Sequence, residues 1–194
     1  GKALFIDNEL QVCERDEYLY SGQFVKSAMN LNRNNVNAAI IGGGDGGVVR
    51  ECISKGFNLI DWYELDPEVV EICKKYLSKI GNKVNESNSV KYIWGDAFES
   101  IKSVEDSKYD KIFVDLNDDQ YCIDLAAKNM KNLKRILKPD GVLTAQVGSQ
   151  DKKPKQVKNW ISVLNKNFGN STVDRVYIPS FDCVWNFASS IMKS

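Results

Sequence analysis

Ala39-Ile40-Ile41-Gly42-Gly43-Gly44-Asp45-Gly46-Gly47-Val48 is an apolar strand running into a glycine turn with a carboxylate at its centre. Glycines at such a turn allow tight bending and let backbone N–H groups approach a ligand closely, and the start of the next helix favours polar partners. Glu64 falls 22 residues after Gly42, at the end of a second apolar run, Leu59-Ile60-Asp61-Trp62-Tyr63. At that spacing an acidic side chain bonds ribose hydroxyls in nucleotide-binding α/β folds. Glu64 could also be a surface cap. Together the two features predict an α/β domain that binds a nucleoside.

The rest of the chain agrees with one such domain. Its 194 residues, 43% of them hydrophobic, are enough for a full core. Lys plus Arg and Asp plus Glu both number 26, so the formal net charge is zero, without the basic excess of a nucleic-acid binder. The lysines at 152 to 158 read as the solvated face of a helix. No apolar run reaches the roughly 18 residues of a membrane span, and no signal peptide is visible. The five cysteines (Cys13, Cys52, Cys73, Cys122, Cys183) form no CxxC pair and read as buried free thiols in a reducing cytoplasm. The chain has no histidine. The commonest general base, the Ser-His-Asp triad and the usual zinc sites are thereby removed, and no metal site is expected. Proton transfer falls to carboxylates, tyrosine, lysine or water.

Two short strands, Ala3 to Ile6 and Leu10 to Glu14, are expected around the turn Asp7-Asn8, then a helix from Glu17 to Leu31 capped by Asp16. After the polar loop Asn32-Arg33-Asn34-Asn35, strands are expected near 37–41, 59–64, 90–94, 110–114 and 142–147. They alternate with helices near 46–55, 67–79, 97–103, 122–137 and 153–167. Asp66-Pro67 is a helix start and Lys138-Pro139-Asp140-Gly141 a turn. Strands near 172–178 and 184–192 close the chain as an antiparallel hairpin. The pattern predicts a doubly wound, mostly parallel sheet with helices on both faces. Ligands bind such sheets at the carboxyl ends of the strands.

Those ends carry Asp45, Glu64, Asp96, Asp115, Asp118 and Asp119, and no basic residue falls inside the Gly42–Gly47 or Asp115–Gln120 loops. Carboxylates brought together repel unless cations or protons compensate them, so a polycationic substrate is the economical explanation. Taken singly, Asp96 could cap the helix that starts at Ala97, Asp115 could be catalytic or cap a loop, and Asp118 and Asp119 read as solvated. Asp45 discriminates most sharply. The methionine moiety of S-adenosylmethionine brings its own carboxylate close to this turn, where a fixed aspartate repels it. A nucleoside that has lost this carboxylate and kept its ammonium is instead attracted. The alternative is an Asp45 that faces water or caps the following helix.

Several segments resemble the spermidine synthase, or polyamine aminopropyltransferase, family. Gln11-Val12-Cys13-Glu14-Arg15-Asp16-Glu17-Tyr18-Leu19-Tyr20 resembles its Q-x-x-E-R-D-E-x-x-Y segment. Ile41 to Val48, Glu64-Leu65-Asp66, Gly95-Asp96 and Asp115-Leu116-Asn117-Asp118 are similar to its later motifs and stand in the family's order. So do Gln146 and Ile178-Pro179-Ser180-Phe181. Departures lie in Asp119-Gln120-Tyr121-Cys122, which replaces the family's P-x-G-P-A stretch, and in Pro179 to Trp185, which looks more like thermospermine and spermine synthases.

The resemblance implies a Rossmann-like fold of the S-adenosylmethionine-dependent methyltransferase type over residues 16–194. Residues 1–15 would be a hairpin remnant of an amino-terminal β-domain. It implies aminopropyl transfer from decarboxylated S-adenosylmethionine as co-substrate to putrescine, giving spermidine and 5′-methylthioadenosine, with no prosthetic group. Thermospermine or spermine formation, a methyltransferase of the same fold, and a polyamine-binding protein without turnover are the alternatives. By the same resemblance Gln11, Gly42, Gly44, Asp45, Glu64, Leu65, Asp96 and Ala97 would bind the donor, with Asp45 and Asp115 bracketing its ammonium. Tyr20 and Asp115 would be catalytic, and Asp118, Gln146, Phe181 and Trp185 would hold the acceptor. A cytoplasmic homodimer is expected on the same ground.

Overall fold

The computed structural model describes residues 1–34, 36–81 and 84–193, so Asn35 of the expected polar loop lies outside the described residues. An amino-terminal hairpin pairs β1 (Ala3–Ile6) with β2 (Glu9–Cys13) in its own two-stranded sheet. Asp7 and Asn8 take φ of 50° and 65°, the left-handed pair that a two-residue hairpin turn requires. After α1 (Glu17–Leu31) the chain builds a seven-stranded sheet. Its first half is β3 (Asn37–Gly42), α2 (Gly47–Ser54), β4 (Leu59–Glu64), α3 (Pro67–Tyr76), the short α4 (Ser78–Gly81) and β5 (Val90–Trp94). Its second half is α5 (Ala97–Ser100), β6 (Tyr109–Asp115), α6 (Gln120–Ile136), β7 (Leu137–Ser149), α7 (Pro154–Phe168), β8 (Thr172–Ile178) and β9 (Cys183–Ile191).

The strand order is β5-β4-β3-β6-β7-β9-β8. The first five strands pair in parallel, and β9 runs antiparallel between β7 and β8. This is the doubly wound sheet with a carboxyl-terminal antiparallel hairpin that the alternation predicts. β3 sits in the middle and is apolar along its length because both faces are covered. Ala39 and Ile41 point into a core with Met130 and Leu133 of α6 and Trp160 and Leu164 of α7. Ala38 and Ile40 point the other way, towards Phe24 and Val25 of α1 and Val48 and Val49 of α2. The period of two along the strand thus divides one sheet between two helical layers.

Local differences from the expected elements have local causes. α3 stops at Tyr76 because Leu77 leaves the helix with ψ of 50° and buries its side chain beside Val12 and Ile80. The turn at Lys138–Gly141 lies within β7. Register jumps from Tyr109↔Leu137 to Lys111↔Val142, and Asp140 sits at φ 59°. Asp66 caps α3 as expected, accepting from the Glu68 N–H at 2.9 Å. Asp16 occupies the cap position of α1 but makes no side-chain cap bond.

Helices α1 and α2 meet at Gly47. A Cβ there would run into the Glu17 carboxylate and the Ser21 hydroxyl, which bond each other. One turn later Arg50 donates to both oxygens of Glu17, at 2.6 and 3.2 Å. The glycine sets the helix spacing and the ion pair holds it. Gly47→Ala is therefore expected to cost about 2–3 kcal/mol and to lower Tm by roughly 4–12 °C. An unchanged melting curve would show that the two helices can separate without loss.

Candidate active site

The chain leaves β3 to build β4 and β5 on one side, then returns to place β6 on the other. A cavity of about 660 Å³ opens at this switch point, within the size range of small-molecule sites. Its floor is the glycine turn and the end of β6. Its walls come from the amino-terminal hairpin, the start of α1, the β7–α7 connection and the segment between β8 and β9.

Gly42 pairs with Asp115 across β3 and β6 and takes φ of 80°. A Cβ at Gly42 would strike the Asp115 carbonyl, and one at Gly43 would come within 2.7 Å of Asp115 Oδ2. The Gly43 N–H donates to the Asp115 carbonyl at 3.1 Å, and Trp62 Nε1 donates to the Gly42 carbonyl at 2.8 Å. Turn and carboxylate therefore form one rigid piece. Asp45 also lines the cavity, while its Oδ1 accepts from the Gly47 N–H at 2.6 Å. Asp45 thus bonds the start of the helix while its side chain lines the cavity. Burial, with Glu17 and Asp115 nearby, raises its pKa well above the usual range against the opposing pull of the Gly47 N–H and Arg50. Glu64 is also raised by burial, partly offset by the N–H groups of Asp66 and Leu65.

The Tyr20 hydroxyl donates to Asp115 Oδ1 at 2.6 Å. Burial pushes Asp115 up to about 7, the Tyr20 hydrogen bond pulls it down, and Glu64 and Glu17 push it further up. Burial and the Asp115 charge move Tyr20 the other way from ionisation, well above 10, so it stays a donor. Its ring lies between Phe187 at 5.0 Å, Trp185 at 6.1 Å and Phe181 at 6.4 Å, centroid to centroid. This aromatic wall offers alkyl packing and cation–π attraction beside a carboxylate that titrates near neutrality. Among the described residues, no group of three or more His, Cys, Asp or Glu is placed to hold a metal ion. No helix among them is long and apolar enough to cross a membrane.

The remaining sequence-predicted residues separate. Gln11, Gly44, Leu65 and Asp118 line the cavity with those above. Gln146 lines it too, but its amide is held by protein. Nε2 donates to the Leu116 carbonyl, while Oε1 accepts from Trp185 Nε1 at 3.2 Å and from the Gly148 N–H at 3.1 Å. Asp96 and Ala97 are not among the cavity-lining residues, and Asp96 caps α5 through the Phe98 N–H at 2.8 Å. Asp119 caps α6 through the Cys122 N–H at 2.7 Å. Asp119 is exposed as expected, whereas Asp118 is largely buried and pairs with Lys153 at 2.9 Å. The lysines expected as a solvated face at 152–158 are exposed at Lys152, Lys155 and Lys158, while Lys153 is partly buried against Asp118. Two of the five thiols, Cys13 and Cys122, also line the cavity and are not core residues.

Sequence reasoning missed Glu17, Arg50, Trp62, Lys152, Lys153 and Ser180 as parts of the site. Glu17, Trp62 and Ser180 stood inside quoted stretches, and Lys152 and Lys153 inside the lysine run, none with a role in the site. Asp16 shows why. Its buried carboxylate accepts from the Ser180 N–H at 2.6 Å and the Ser180 hydroxyl at 2.7 Å, across 164 residues. It ties the aromatic segment Phe181–Trp185 to the start of α1, and no local pattern announces such a contact.

Fold and site together define a doubly wound α/β domain with a strongly acidic cavity at the switch point of its sheet. The spermine/spermidine synthase domain model matches residues 17–194, and the chain belongs to that family. It is 33% identical over 196 residues to a polyamine aminopropyltransferase of Prochlorococcus marinus (strain MIT 9215), covering 98% of this chain and 69% of that protein. A polyamine aminopropyltransferase of Thermoplasma acidophilum is 32% identical over 191 residues, covering 96% and 69%. Among solved structures, a spermidine synthase in complex with the transition-state analogue AdoDATO superposes with a TM-score of 0.87 at 22% identity, which shows the shared fold. The match covers 95% of this chain and 64% of that one, so the chain spans about two thirds of the length of these proteins.

Asp16→Ala removes both bonds to Ser180 and is expected to cost about 1–3 kcal/mol. Amide hydrogen exchange should quicken at Ser180 and through Trp185, with Asp16→Asn intermediate. Unchanged exchange at Ser180 would show that the aromatic segment is held by packing alone.

Proposed function

We propose that the chain transfers the aminopropyl group of decarboxylated S-adenosylmethionine to putrescine, forming spermidine and 5′-methylthioadenosine. The observation that carries this reading is the pair Asp45 and Asp115. Both line the cavity at the glycine turn, and neither forms an ion pair with Lys or Arg among the described residues. A donor that kept its carboxylate would meet repulsion there. An aminopropyl ammonium supplies the missing positive charge. That preference separates this reading from a methyltransferase on the same fold.

On this reading Glu64 holds the ribose hydroxyls, with Gln11, Gly42, Gly44, Leu65, Asp96 and Ala97 around the nucleoside. Asp45 and Asp115 bracket the donor ammonium. Tyr20 keeps Asp115 oriented towards the acceptor nitrogen, and Phe181 and Trp185 pack its methylene chain. Asp118 attracts the acceptor's far ammonium, while Gln146 positions Leu116 and Trp185. The acceptor amine gives a proton to Asp115, and its lone pair forms the new N–C bond at the aminopropyl carbon bonded to sulfur. The C–S electron pair leaves with sulfur, which becomes a neutral thioether. Positioning supplies much of the acceleration because the sulfonium is already a good leaving group. The aromatic segment at Phe181–Trp185 makes thermospermine or spermine formation the second product to measure.

Purified protein supplied with decarboxylated S-adenosylmethionine should release 5′-methylthioadenosine with putrescine and more slowly with spermidine. Release with no diamine or polyamine would refute the reading. Asp115→Asn is expected to lower kcat by about 10² to 10⁴.

The Asp115 pKa of about 7 also fixes the sign of two pH effects. The base form exists above that value, so kcat/KM should rise with pH through about 7. Tyr20→Phe removes the hydrogen bond that lowers the pKa and should move the limb upward. Because the folded pKa is raised, the stabilising contribution of this group is complete below the unfolded value of about 3.9. It is lost as pH rises through about 7 in the ligand-free protein. Putrescine should therefore raise Tm more at pH 8 than at pH 5. A flat profile would remove Asp115 as the base.

A further inference from the structure

Lys153 is the residue that opens α7, and its Nζ donates to Asp118 Oδ1 at 2.9 Å. The Asp118 side chain is 15% exposed and that of Lys153 37% exposed. The Asp118 carboxylate lies close over Gly148, where an added Cβ would come within 2.7 Å of its other oxygen. Burial lowers the Lys153 pKa, but the Asp118 hydrogen bond and charge, with Glu9 and Asp119, more than offset this and raise it. The neighbouring Lys152 reaches the same wall differently, donating to the Phe181 carbonyl at 2.6 Å.

The chemistry of this pair differs from that of the other cavity carboxylates. Asp45 and Asp115 meet the ligand space without a lysine or arginine, whereas Asp118 already holds an ammonium. From Cβ to Nζ a lysine side chain is a butylammonium ion, which is one end of 1,4-diaminobutane. The protein thus presents to its own carboxylate the group that an acceptor diamine would present.

We propose that Lys153 is a tethered competitor of the acceptor: its ammonium occupies the Asp118 subsite for the acceptor's far ammonium, and acceptor binding exchanges one for the other. This rests on the polyamine reading of the cavity. Lys153 is part exposed at a helix start, so it can swing into water when displaced, and only the difference between two similar ion pairs is gained. The exchange weakens acceptor binding at the far end and leaves the donor end, where no cation is built in, at full attraction. Lys153 is in this sense a specificity-determining residue that acts through Asp118.

Calorimetric titration of the protein, saturated with 5′-methylthioadenosine, with 1,4-diaminobutane tests the exchange. Lys153→Met keeps the stem and removes the charge, and its diamine Kd should fall about three- to tenfold. Lys153→Gln should move the same way, and adding Asp118→Asn to either variant should abolish the gain. Lys152→Met removes the same charge one residue away but frees a carbonyl, so its Kd should change by less than about twofold. An unchanged or weaker diamine Kd in both Lys153 variants overturns the proposal. An equal gain in Lys152→Met also overturns it, because the effect is then a long-range field. If the wild-type protein binds diamine and turns it over, those results leave the polyamine reading intact. If the wild-type protein neither binds diamine nor releases 5′-methylthioadenosine with it, both fall together.

Discussion

The close approach of Gly42 and Gly43 to the backbone and carboxylate of Asp115 is the contact on which the rest of the site depends. It exists because β3 and β6 are neighbours although α2, β4, α3 and β5 separate them in sequence. With any side chain at Gly42, the turn would have to move off the end of β6. The cavity would then lose the fixed relation between the turn N–H groups and the Asp115 carboxylate. Trp62 reinforces the turn from β4 by bonding the Gly42 carbonyl. Three adjacent strands thus converge on one glycine.

Electrostatics then decides what such a rigid piece can bind. Glu17 is buried at the cavity wall and paired with Arg50 and Ser21. The field it still exerts raises both Asp45 and Asp115. In the free protein a proton can serve as the missing cation on Asp115, which is why its pKa moves to about 7. On the proposed polyamine reading, a ligand ammonium would take over that role and return the carboxylate to its ionised form, linking binding and base strength through a single group.

Strands and helices were legible because buried parallel strands are written as short apolar runs and because turn chemistry is local. Asp7-Asn8, Asp66-Pro67 and the glycine turn each act within a few residues, and the structure places them as expected. What was not legible depends on where distant segments meet. The sequence around Lys152 and Lys153 has the composition of a solvated helix face. Only the crossing of the β7–α7 connection beside the Asp118 loop brings the Lys153 amine to Asp118 and the Lys152 amine to the Phe181 carbonyl. Likewise Asp16 looks like an ordinary helix cap, and its actual partner is Ser180. Carboxylates at strand ends were foreseeable as a group. Their counter-ions were not, because a cation's reach along a flexible stem leaves no spacing rule in the sequence.

Asp45 shows that a structural and a functional reading of one residue need not exclude each other. A carboxylate that accepts from the first N–H of α2 is stabilised as an anion by that bond and by the helix dipole. Without the cap, burial beside Glu17 and Asp115 would leave it protonated over a wider range and less able to attract an ammonium. The cap thus preserves the charge that ligand binding needs. Arg50 lies close enough to lower the Asp45 pKa, yet its guanidinium is committed to Glu17 and Glu51 and does not cover it. A cation held near but engaged elsewhere stabilises the anion while leaving its open face to the ligand. That arrangement explains how so acidic a cavity can fold with no lysine or arginine paired to Asp45 among the described residues.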